Sequence, residues 1–92
     1  MTDNEKLQMW QLGAVFNNIP DYPNDDSAAM SLLDTLVKKG YEYELLGWLS
    51  PTREQKHLLC IAGFSKVARN VKPTRREAVV VTVLEVIEKE GV

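Results

Sequence analysis

Thr74-Arg75-Arg76-Glu77-Ala78-Val79-Val80-Val81-Thr82-Val83-Leu84-Glu85-Val86-Ile87 decides the fold class. Thr74 and Glu77 match a capping box, in which the threonine hydroxyl accepts from the third helical N–H and the glutamate reaches back. Against a helix, every residue from Val79 to Val83 is β-branched, a composition that favours strands. The run is apolar without alternation, follows a clear cap and exceeds the length of a typical strand. We therefore read a helix from Arg75 to about Glu90, closed by Gly91. It carries more apolar surface than one helix face can hide, which makes it either the centre of the core or half of an interface.

Working backwards, Val71-Lys72-Pro73 breaks a preceding helix, predicted from Pro51 to about Asn70. Ser50 would be its N-cap and Pro51 its first residue. Leu58, Ile61, Ala62, Ser65 and Ala68 share one row of it, and Cys60, Phe64, Val67 and Val71 continue beside them. Tyr41 to Leu49 alternates like a strand at first. Tyr41, Leu45, Trp48 and Leu49 also share a helical face, and a short helix is the reading adopted. Asn24 to Ser27 offer N-caps for a helix from Asp25 or Asp26, with Ala29, Met30, Leu32, Leu33, Leu36 and Val37 as its buried stripe and Gly40 past its end. A first helix spans about Asp3 to Asn18 and ends before Pro20, because a residue preceding proline leaves the helical region. Gly13, Gly47 and Gly63 fall within predicted helices and are read as points of close packing.

The expected fold is thus all-α, a compact bundle of four to five helices in one domain, residues 1–92. The alternative is α+β, with a small antiparallel sheet made from 41–46 and 79–83. A chain of 92 residues has a thin core, which self-association would help to complete.

Composition narrows the function. One cysteine excludes an intrachain disulfide framework and suits a reducing cytosol. No apolar run reaches the roughly 18 residues of a membrane span, and Met1 to Lys6 is polar and acidic, unlike a signal peptide. A cytoplasmic location with no membrane contact is the expectation. Net charge is −2. It is unevenly spread: residues 1–51 carry eight acids and three bases, residues 52–92 five acids and eight bases. Such asymmetry suits partner steering or head-to-tail contact.

No catalytic constellation emerges, and the chain is read as no enzyme. His57 and Cys60 stand three apart, but zinc needs four ligands, the chain has one histidine and one cysteine, and Cys60 lies in an apolar setting. The paired carboxylates Asp25/Asp26, Glu42/Glu44 and Glu85/Glu88 are not placed across a cleft, and the glycines are scattered, leaving no phosphate loop. No cofactor or metal is expected.

Two surfaces remain as candidates for partner binding. The first is basic: Lys66, Arg69, Lys72, Arg75 and Arg76 place five of the 11 cationic residues within eleven positions. The second is aromatic and acidic: Tyr22, Tyr41, Glu42, Tyr43 and Glu44, with Trp10 and Trp48 assigned to the core. The leading expectation is a small non-enzymatic interaction or regulatory module that binds a larger protein or itself, as a homodimer through the Val79–Ile87 helix. The alternative is a helix-turn-helix-like DNA binder using residues 66–76, with Arg75 and Arg76 at the start of the recognition helix. The acidic overall charge and the apolar last helix weigh against it.

Overall fold

A computed structural model describes residues 1–90. Its elements are α1 (Asp3–Leu12), α2 (Asp26–Lys38), β1 (Glu42–Leu49), β2 (Gln55–Gly63), β3 (Lys66–Lys72) and α3 (Arg75–Glu90). The strands form an antiparallel meander in the order β1-β2-β3. The protein is therefore α+β, which overturns the expected all-α bundle of four to five helices.

Two of the predicted helices are β-structure instead. Residues 42–49 of the segment read as a short helix form β1, and the segment expected to be helical from Pro51 to Asn70 is the β2–β3 hairpin with its approaches. The expected N-cap, Ser50, closes a turn: its N–H donates to the Glu54 carbonyl at 2.9 Å and its carbonyl accepts from Arg53 at 2.8 Å. The α+β alternative also needs correction. Residues 42–46 of its strand 41–46 do lie in β1, but β1 pairs with β2, Leu45 opposite Leu59, while 79–83 is helical.

The β2–β3 turn explains why this hairpin is hard to read from its residues. Two-residue hairpin turns of type I′ need positive φ at both central positions, which is why they favour asparagine and glycine. Here those positions are Phe64 at φ 53° and Ser65 at φ 63°, so the customary signal is missing. Left-handed backbone at two residues with side chains costs on the order of 1 kcal/mol or more. The double variant Phe64→Asn/Ser65→Gly is expected to raise unfolding free energy by about 1 kcal/mol, read from the urea midpoint at constant slope. An unchanged or lowered midpoint would show that the Phe64 ring, which meets Tyr41 edge-on at 5.1 Å between centroids, outweighs the strain.

The helices behave closer to expectation. In α2, Asp25 caps by accepting from the Ala28 N–H at 3.1 Å, and Ala29, Leu32, Leu33 and Leu36 are buried. In α3, Thr74 accepts from the Glu77 N–H at 3.2 Å. Gly91, the expected closing residue, lies outside the described residues. Helix α1 stops at Leu12 rather than Asn18, because Gly13 takes φ 78° and its N–H closes on the Met9 carbonyl at 2.8 Å. The following loop is pinned by buried Gln8, whose Nε2 donates to the Asn18 carbonyl at 2.9 Å and whose Oε1 accepts from the Phe16 N–H at 2.8 Å.

Helix α3 packs across β2 and β3, α2 against α3 and β1, and α1 against α3. Val79, Val80, Val83 and Val86 are buried in this core beside Leu7, Leu36, Leu59 and Ile61. The surplus apolar surface of α3 is thus covered by the chain's own sheet and helices.

Candidate functional site: the open face of the sheet

Side chains alternate across a strand, so register sorts every sheet residue to one side or the other. Leu45, Leu59, Ile61 and Ala68 belong to the helix-covered side. The opposite parity gives the other face. Its rows are Glu42–Ala62–Val67, Glu44–Cys60–Arg69 and Leu46–Leu58–Val71, with Trp48 beside Lys56 at one end. No described element covers this face.

An uncovered face of an antiparallel sheet usually reads polar. This one does not. Leu46 is 46% exposed, Trp48 43%, Val67 54% and Val71 50%. Leu58, Cys60 and Ala62 fill the middle strand, partly shielded by these neighbours. The face is a mainly apolar patch three strands wide, crossed by one charged row and rimmed by Glu42 and Lys56. Contiguous apolar surface rimmed by charge is the usual mark of an interaction site.

The structure distributes the predicted site residues differently from expectation. Residues 66–72 form a strand, so the helix-turn-helix geometry is not present in the described chain. Arg69 points to the open face, and Lys66 and Lys72 have the opposite parity. Lys66 Nζ donates to the Lys89 carbonyl at 2.8 Å, and Arg75 pairs with Asp26 at 3.0 Å. The five cations therefore do not converge on one surface.

The aromatic and acidic set is also divided. Tyr22 is 1% exposed and donates its hydroxyl to Gln11 Oε1 at 2.8 Å. Tyr41 is buried as well, with its hydroxyl on Glu90, which also accepts from Trp10 Nε1 at 3.1 Å. Burial, reinforced by that carboxylate, pushes the Tyr41 pKa up to about 12. Glu42 and Glu44 face outward on the open face, and Tyr43 is exposed on the helix-side parity at the β1 edge. Trp48, expected in the core beside Trp10, stands on the open face, whereas Trp10 is buried.

Leu46, Trp48, Leu58, Val67 and Val71 are the surface residues that sequence reasoning did not single out. The one available signal is the unbroken apolar run Leu58–Ala62, which a strand with a single dry face would interrupt.

Catalytic geometry is not assembled from the residues considered. His57 and Cys60 differ in parity on β2 and so stand on opposite faces. Among the described residues, no three His, Cys, Asp or Glu side chains are grouped to hold a metal ion. Among them, too, no helix is long and apolar enough to cross a membrane. No protein-family model, curated protein or solved structure matches this chain.

Proposed function

We propose that the protein is a small non-enzymatic interaction module, acting in the cytoplasm, that binds a protein partner through the open face of its sheet. The observation that supports this reading is the apolar character of a face that the fold leaves uncovered, with Trp48 and Leu46 each more than 40% exposed. Trp, Leu and Val side chains on a rigid sheet lose little conformational freedom on binding, and Trp is the residue most enriched among binding hot spots. The single cysteine, part of this face, suits a reducing compartment.

A photo-reactive amino acid at Leu58, with another at exposed Asp34 of α2 as control, tests the reading in cells. A discrete adduct is expected from position 58 and none from 34. Leu46→Asp placed in the same chain should abolish it without lowering the melting temperature appreciably, and Trp48→Ala should weaken it by roughly 30-fold or more. Equal labelling from both positions, or an adduct indifferent to Leu46→Asp, would overturn the assignment.

A further inference from the structure

The charged row across the open face is antisymmetric. Glu44 on β1 and Arg69 on β3 flank Cys60 of β2 in one register line, with opposite charges on the two outer strands. Their backbones stand roughly 10 Å apart, two strand spacings. Among the described residues, neither belongs to an ion pair.

We infer that the partner of this face is a second copy of the same chain, packed sheet against sheet about a two-fold axis parallel to β2. Self-pairing of this kind rests on the interaction-module reading and names its partner. Rotation by half a turn about that axis exchanges the positions of β1 and β3. Each Glu44 then lies over the second copy's Arg69, twice by symmetry, and Leu58 and Cys60 meet their own counterparts at the centre. Leu46 lies over the second copy's Val71, so the apolar row is self-complementary in the same arrangement. An axis perpendicular to the strands in the plane of the interface would lay β1 on β1 and pair neither charge.

The axis also satisfies the geometry of sandwiches. Facing sheets pack about 10 Å apart with strand directions within about 30° of each other. A C2 interface must be self-complementary, and one acid and one base placed symmetrically about the middle strand meet that condition. Lys56, which approaches its own counterpart, lies at the rim, with its ammonium 3.3 Å from Glu54 of the same chain. Three strands of this length give a patch at the low end of specific interfaces, so dissociation in the micromolar range is expected.

Charge reversal tests the arrangement. Sedimentation equilibrium from about 1 µM to 1 mM should show wild-type monomer and dimer in exchange, consistent with an interface of this size. Glu44→Arg alone opposes arginine to arginine twice, and Arg69→Glu alone opposes glutamate to glutamate twice. Each is expected to weaken dimerisation by at least about 30-fold. The double variant Glu44→Arg/Arg69→Glu restores both pairs and should return to within about threefold of wild type. Rescue by the double variant also shows that the single variants fail through the interface and not through folding. A dimer untouched by the single reversals, or unrescued by the double one, overturns the arrangement. A wild-type chain monomeric throughout, combined with the position-58 adduct at a mass other than twice that of the chain, overturns self-pairing while leaving the interaction-module reading intact. Absence of both overturns the two together.

Discussion

Leu59→Ala is expected to lower the unfolding free energy by about 2–5 kcal/mol, whereas Leu58→Ala lowers it by no more than about 1 kcal/mol. The two residues are chain neighbours of identical chemistry, so only the direction of their side chains separates them. Leu59 is fully buried, opposite Leu45 and Asn70 in the central strand, and its removal leaves a cavity that rigid neighbours on three elements cannot collapse. Leu58 is half-buried on the open face, where solvent fills the space that truncation leaves. Urea unfolding at submicromolar concentration, below the proposed dimerisation, measures the monomer alone. Comparable losses at both positions would contradict the strand alternation on which the candidate surface depends.

Gly63→Ala is the second large effect. A Cβ built at Gly63 stands 2.6 Å from Tyr41 Cδ1, 3.2 Å from Cε1 and 3.3 Å from the Tyr41 Cα. The ring cannot swing away freely, because its far end is held by Glu90 and its body is buried in the core. Overpacking of this kind is expected to cost about 2–3 kcal/mol. Gly63 does not have positive φ, so the cost is one of crowding. Gly13 gives the opposite case: φ is 78° and a Cβ there meets nothing within 4 Å, so Gly13→Ala should cost only the left-handed strain, about 1 kcal/mol. Combining Gly63→Ala with Tyr41→Leu tests the contact directly. A double-mutant cycle should show a coupling above about 1 kcal/mol, and additive losses would place the strain elsewhere.

Reading Gly63 as a point of close packing agrees with this geometry, although the element around it is a strand and not a helix. A glycine between Ala62 and Phe64 signals that something approaches closely, whatever the backbone conformation. Which element approaches depends on the chain returning from Tyr41, more than twenty positions away. The same division runs through the site. The acidic–aromatic composition of Glu42, Tyr43 and Glu44 reads as surface, and all three are exposed on β1. Local context puts Tyr22 and Tyr41 on that surface too, but both have distant hydrogen-bond partners, Gln11 and Glu90, that permit burial.

Features written in short-range chemistry are legible from the residues alone. Asp25 and Lys38 delimit α2, Thr74 opens α3, and the length and continuity of the Val79–Val83 run outweigh its β-branched composition. Each depends on contacts within about one helical turn. The hairpin of residues 55–72 is of the other kind, and it emerges only when the whole chain is packed. An apolar outer face erases the alternation that marks a strand, and a turn made from Phe64 and Ser65 lacks the residues that announce one. Burying Leu59, Ile61 and Ala68 beneath α3 settles the conformation of both strands, and that energy comes from residues remote in sequence. The physical property that hid the sheet, apolar side chains on both of its faces, is the one that makes its open face the candidate interface.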